Sequence, residues 1–227
     1  MPNQASECIS IYPKSKKHSR FLMMLGCVFI SFSMLLNSFL WSDFKYQLML
    51  VLFASCIVFL TGYLKYTEPE MSYKLSRERL HFYHRNGSWN IAWNEITRID
   101  NVSSRSGLNH IQLPYIGIKL KSIECIAQNI SPRLANKLIH EQRDLLVLAA
   151  RNNEIVLDSG LISFEPFTLN KKTYKGPIAA WLFRTEQLVS IYGYHLFIPE
   201  TSFDREIDEF VQLLKQCKHH SNNHYPP

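Results

Sequence analysis

The run FLMMLGCVFISFSMLLNSFLW, Phe21 to Trp41, contains no charged side chain. As a helix rising ~1.5 Å per residue it covers about 31 Å, the thickness of a hydrocarbon core. A second uncharged run, YQLMLVLFASCIVFLTGYL from Tyr46 to Leu64, covers about 28 Å in the same way. Only Ser42, Asp43, Phe44 and Lys45 separate the two, so the second helix turns straight back along the first as a hairpin. A cleaved signal peptide fits poorly: the first run is too long for its apolar region, and Asn37, Ser38 and Phe39 stand where small residues would mark cleavage. Core helices of a soluble protein carry a polar face, and the second run has almost none.

Orientation follows from the basic residues, which resist translocation across a membrane. Lys14, Lys16, Lys17 and Arg20 precede the first run, Lys65, Lys74, Arg77 and Arg79 follow the second, and the loop holds Lys45 alone. Both ends of the chain are therefore expected in the cytoplasm. Amphipathic aromatic rings favour the membrane–water interface, which places Trp41 and Tyr46 at the outer face and Tyr63 and Tyr66 at the inner one. Gly26 and Gly62 fall at similar depth, where a missing side chain lets two helices approach closely.

Charge and cysteine usage exclude other classes. The net charge of +6 over 227 residues is not gathered into one stripe of the remaining chain, so a nucleic-acid interface is not expected. Cys8, Cys27, Cys56, Cys125 and Cys217 are odd in number, widely spaced and without a C-x-x-C pair. That pattern fits neither a disulfide framework nor a zinc knuckle, and it suits a reducing compartment.

Beyond the apolar runs, Glu68-Pro69-Glu70 reads as a linker, because proline disfavours helix in the residue before it. MSYKLS, RLHFYHR and SWNIAW are strand segments, and Asn86-Gly87 between the last two is the favoured pair for a type I′ turn. Leu80, Phe82 and His84 share one face of their strand, as do Trp89, Ile91 and Trp93. ITRIDNV and IGIKL are further strands around a polar loop at Ser103 to Gly107. Ser131-Pro132 opens a helix, serine at the N-cap and proline in the first turn, which the apolar spacing extends to Arg151. After a loop-rich stretch, Pro177 precedes a helix that Gly193 closes. YHLFIP is a strand, and Phe203 to Gln216 a final amphipathic helix. The fold class is α+β: an N-terminal transmembrane helical hairpin, then a cytoplasmic antiparallel-sheet domain with added helices. The expected division is a basic cytoplasmic N-terminus (1–20), the hairpin (21–64), a linker (65–70), the domain (71–217) and a disordered tail (218–227).

A basic N-terminus, a two-span hairpin, Tyr73-Lys74-Leu75, the stretch RLHFYHRNGSWNIAWNEITRID and a closing helix together resemble bacterial membrane proteins with a pleckstrin-homology-like domain. More closely, the chain is similar to an uncharacterised family of two-span inner-membrane proteins from Gram-negative bacteria, the likeness including SPRLANKLIHEQR at Ser131 to Arg143 and Leu196 to Leu214. That resemblance implies no activity and carries over no functional residue. The two internal helices depart from a plain pleckstrin-like barrel.

Signatures of chemistry are lacking in the sequence. No glycine pattern cradles phosphates, no G-x-S-x-G elbow appears, and His140-Glu141 lacks the second histidine of a zinc-protease helix. His81 and His84 point to opposite faces of one strand and cannot ligate one ion together. His219, His220 and His224 read as part of a solvated tail. Glu141, Arg143, Arg184, Glu186, Asp204 and Arg205 read as solvated or structural charges on helices. No catalytic residue, cofactor or metal site is assigned. Arg133, Lys137 and Arg143 are the charges to test against an anionic leaflet or a partner. The leading expectation is a non-catalytic binding or scaffold module tethered to the bacterial inner membrane, its partners the bilayer and a membrane protein or a second copy. An enzyme with an unrecognised site acting at the membrane surface is the alternative.

Overall fold

The first strand lies in the segment that the sequence assigns to a basic N-terminal arm. In the computed structural model, which describes residues 8–13, 19–67, 71–106, 109–151 and 165–224, β1 (Ile9–Ile11) pairs antiparallel with β2 (Tyr73–Leu75). Ile9 stands opposite Leu75 and Ile11 opposite Tyr73, and Ile11 is fully buried. Three residues are too few for a legible alternation, and their partner lies beyond the whole hairpin. Lys14, Lys16 and Lys17, the Glu68-Pro69-Glu70 linker and Gly107 fall outside the described residues.

Between these strands runs one helical stretch, Ser19–Tyr66, interrupted at Phe44, whose φ of −128° and ψ of 33° leave the helical region. Its arms are α1 (Ser19–Phe39) and α2 (Phe44–Tyr66), and each is long and apolar enough to cross a membrane. They run antiparallel: Gly26 abuts the backbone of Phe59, and Gly62 that of Met23. A β-carbon at either glycine would sit 2.6 Å from a backbone atom of the other arm, so only glycine permits this approach. Only 11% and 17% of the most apolar window of each arm is buried, whereas a core helix would bury most of it. The hydroxyls of Ser31, Ser55 and Thr61 donate to carbonyls one turn back, at Cys27, Val51 and Ile57, which satisfies them without water.

The chain divides into two compact units, Pro13–Glu70 and Met1–Tyr12 with Met71–Pro227. In the second, β1 and β2 join β3 (Arg79–His84) and β4 (Gly87–Ala92) in a four-stranded antiparallel sheet of that order. Leu80, Phe82, Trp89 and Ile91 are buried on one face, as alternation predicts. The β3–β4 turn is shifted one residue from the expected one. Arg85 and Asn86 form it with negative φ, and Gly87 already pairs with His84. Gly87 answers to a different need: its φ is +144° and a β-carbon there would lie 2.5 Å from Ser131 Oγ.

The expected loop at Ser103 to Gly107 is mostly strand. β5 (Ile96–Ser106) and β6 (Asn109–Leu120) pair along their length, with bulges near Ile96 and Asn101 that keep the ladder going past the polar residues. A separate hairpin, β7 (Phe167–Leu169) with β8 (Lys172–Tyr174), stands in the stretch expected to be loop-rich. Here the turn residues Asn170 and Lys171 both have positive φ, the signature expected of Asn86-Gly87. β9 (Leu196–Pro199) completes a three-stranded sheet in the order β5, β6, β9.

Among the described residues, five helices complete the unit: α3 (Glu124–Ala127), α4 (Pro132–Glu141), α5 (Arg143–Arg151), α6 (Pro177–Tyr192) and α7 (Ile207–His224). Ser131 caps α4 by accepting from Leu134 N (3.1 Å) while donating to Asn86 O (2.8 Å), which ties the helix start to the β3–β4 turn. Gln142 breaks the expected single helix into α4 and α5. Gly193 closes α6 in the left-handed conformation, φ +80°, as its position predicts. α7 begins four residues later than expected, with Phe203 extended and fully buried before it. It runs to His224, so residues 218–224 are helical rather than a disordered tail. No glycine or proline interrupts that stretch, and a helix already anchored by Phe210 and Leu214 propagates cheaply. The main core joins both sheets to α4, α6 and α7 through Tyr73, Trp93, Trp181, Phe203 and Phe210.

Candidate functional site

One strand and the end of a helix frame an open groove on the sheet unit. β5 contributes Thr97, Arg98, Ile99 and Asp100, and α7 contributes Lys215, Lys218 and His219, around an open groove of 360 Å³. This volume lies near the lower end of small-molecule sites, about 300–1,000 Å³. Ile99 turns into the core and fixes the strand, which leaves its polar neighbours on the outer face.

One carboxylate serves two cations. Asp100 Oδ1 is 2.6 Å from Lys215 Nζ, and Asp100 Oδ2 is 3.2 Å from Arg98 Nε. These groups are about half exposed, so the pairs add little stability; their effect is to hold both cations over the groove. Arg98 is steered further by Tyr194, whose ring centroid lies 4.6 Å from the guanidinium carbon. Tyr194 itself packs onto β6 at Gly117, where a β-carbon would meet the ring at 2.4 Å. Lys218 Nζ donates to Thr97 O at 2.7 Å, a neutral partner. Burial, and then the positive charge of nearby Lys121, lower the pKa of Lys218. Arg98, Lys215 and Lys218 thus line the groove beside a single carboxylate, Asp100.

A second, enclosed space of about 20 Å³ lies between Tyr73, Phe82, Trp89, Glu141, Gln142 and Ser202. It has room for one water and no substrate. Burial first, and then the charge of Glu141, push the Tyr73 phenol well above its ordinary pKa, so it stays protonated.

The residues singled out from the sequence are not brought together. Arg133 and Lys137 share one face of α4, and Lys137 Nζ pairs with Glu141 Oε1 at 3.4 Å. Arg143 starts the next helix beyond the Gln142 break and is exposed. Tyr46 is exposed at the start of α2, and Tyr63 and Tyr66 are exposed near its end; the side chain of Trp41 lies outside the described residues. Arg184, read as a solvated or structural charge, is buried in α6. His84 Nδ1 accepts from Asn86 N and serves the β3–β4 turn. Among the described residues, no group of three His, Cys, Asp or Glu is placed to hold a metal ion. The sequence held one signal of the groove, the i,i+3 spacing of Lys215 and Lys218 on a helix, but not the strand opposite.

A family model described as "Protein of unknown function (DUF2982)" matches residues 73–220. The chain belongs to that family. The match starts with β2 and ends within α7, so it takes in the groove and leaves out β1 and the apolar hairpin. No curated protein and no solved structure matches the chain.

Proposed function

We propose that this protein is a non-catalytic binding module, anchored in a bacterial inner membrane by a two-span hairpin inserted between the first two strands of its own sheet. The single observation that carries the anchoring is the pairing of β1 with β2. These strands flank the hairpin in sequence, and sheet hydrogen bonds cannot be shared across a bilayer. Either both arms cross or neither does; one span alone would separate β1 from its partner. The exposure of Phe21, Phe32, Leu50, Phe53 and Leu60 on the arms favours crossing, since lipid accommodates such a surface and water does not. The excess of Lys and Arg flanking the hairpin over its loop favours the cytoplasm for the sheet unit.

Binding is favoured over catalysis because the groove sets Arg98, Lys215 and Lys218 beside a carboxylate that two of them already engage, alongside Thr97 and His219. Two antiparallel sheets followed by a closing helix support the pleckstrin-homology-like reading, and α3 to α6 with the β7–β8 hairpin are insertions between β6 and β9. Confinement to the membrane surface raises the module's local concentration toward membrane partners.

Alkaline phosphatase fusions in a Gram-negative host test the anchoring. A fusion after Pro227 is expected to be inactive and a sandwich fusion between Ser42 and Asp43 active, with the protein retained after alkaline carbonate washing. An active C-terminal fusion, or release by carbonate, removes the proposal.

A further inference from the structure

We propose that the groove between β5 and α7 binds a phosphate monoester group, with Lys215 and Lys218 supplying charge and Arg98 framing it. This deepens the binding-module reading and does not depend on the membrane anchoring, so the fusion experiment and the one below fail separately. The argument starts from charge. Asp100 offsets only one of the two cations it touches, and the hydrogen bond of Lys218 goes to a backbone carbonyl, which carries no net charge. An anion seated among Arg98, Lys215 and Lys218 offsets the positive charge that Asp100 leaves over.

Geometry narrows the class of ligand. A lysine ammonium has three donors, and Lys218 spends one on Thr97 O, leaving two for the groove. Arg98 uses its Nε on Asp100, so its two terminal nitrogens remain able to meet a pair of oxygens. A tetrahedral dianion with three terminal oxygens matches donors arriving from a strand on one side and a helix on the other. A carboxylate has only two oxygens in one plane. Openness to solvent suits a group displayed on a larger molecule, either a lipid headgroup or a soluble phosphate.

The test is isothermal titration of the full chain in neutral detergent with inorganic phosphate in one arm and dihexanoyl phosphatidic acid in the other. Binding in at least one arm is expected, weakening with added salt. Lys215→Gln and Lys218→Gln should each weaken it roughly fivefold, and the double variant roughly twenty-five-fold, at about 1 kcal/mol per cation. Asp100→Asn should tighten it, a change of sign that general loss of structure does not produce. Arg133→Gln on α4 should leave it unchanged. Binding of phosphatidic acid alone assigns the phosphate to a lipid; binding of both shows that the phosphate group itself suffices. Absence of binding in both arms overturns the proposal. So does binding that survives unchanged in the double lysine variant, or that Asp100→Asn weakens, while thermal melting shows each variant folded.

Discussion

Alanine at Gly117 should destabilise the sheet unit, and the sign of the effect is what makes the experiment informative. Gly117 lies on β6 with a backbone that any residue can adopt. At such a site Gly→Ala ordinarily stabilises by about 0.4–1 kcal/mol, because it restricts the unfolded chain. Here the added β-carbon would stand 2.4, 2.5 and 2.7 Å from three ring atoms of Tyr194, against an ordinary carbon–carbon contact of ~3.5–4.0 Å. The ring would have to retreat by about 1 Å. It is held by burial against Val102, Leu188 and Phe197 and by Arg98 over its face. Overpacking of this kind costs about 1–3 kcal/mol, so the net loss is about 0–2.6 kcal/mol, centred on ~1.3, once the entropic gain is subtracted. For a chain of this size the central value lowers the melting temperature by about 3–5 °C. Circular dichroism of the full chain in detergent reads the shift. A double-mutant cycle with Tyr194→Ala isolates the contact: in that background Gly117→Ala should be neutral or stabilising, a coupling of about 1 kcal/mol or more. A Gly117→Ala protein more stable than the parent, or one equally destabilised with and without the tyrosine ring, refutes the packing account.

Ile11→Ala should cost about 2–5 kcal/mol, as truncation of a fully buried isoleucine does. A free N-terminal arm would show a change within about 0.5 kcal/mol, so urea melting distinguishes the two. Ser131→Ala should cost about 1–2 kcal/mol, because the α4 cap and the bond to Asn86 O are lost together. Ser131→Asp should recover only part of it, since a carboxylate can accept from Leu134 N but cannot donate to Asn86 O. His195 accepts from Leu120 N through Nδ1, and burial, then Lys119, lower its pKa in the folded protein. The unfolded chain therefore binds the proton more readily, and the stability contributed by neutral His195 is full above about pH 6.5 and declines as the pH falls below it. Melting temperatures between pH 7.5 and 5 should show that decline, and His195→Gln should reduce it; an unchanged slope in the variant would count against this role.

Much of the architecture was legible because its causes are local. The β3–β4 strands showed their alternation, and Ser131-Pro132 and Gly193 marked helix ends by the conformations those residues favour. Errors came where a distant partner decided. Asn86-Gly87 carries the composition of a type I′ turn, yet the turn settles on Arg85 and Asn86, and the bare Gly87 leaves room for Ser131 from forty-four residues on. Ser103 and Ser104 look like loop, but Gln112 and Ile111 pair with them and keep them in strand. Arg184 reads as solvated or structural, and only the packing around α6 decides that it is buried. Of the groove, the sequence displayed Lys215 and Lys218, while Arg98 and Asp100 reach it from positions more than a hundred residues earlier.

The sequence alone determined that two charge-free stretches are long enough to cross a bilayer and that basic residues flank them. Length and charge are properties of a short segment and need no partner. Only the tertiary structure decided that β1 closes onto β2 across the whole hairpin, and that Gly117 seats Tyr194 so that Arg98 faces α7. Those contacts repay the entropy of joining remote segments only when the complete core is assembled, and no window of residues contains that information.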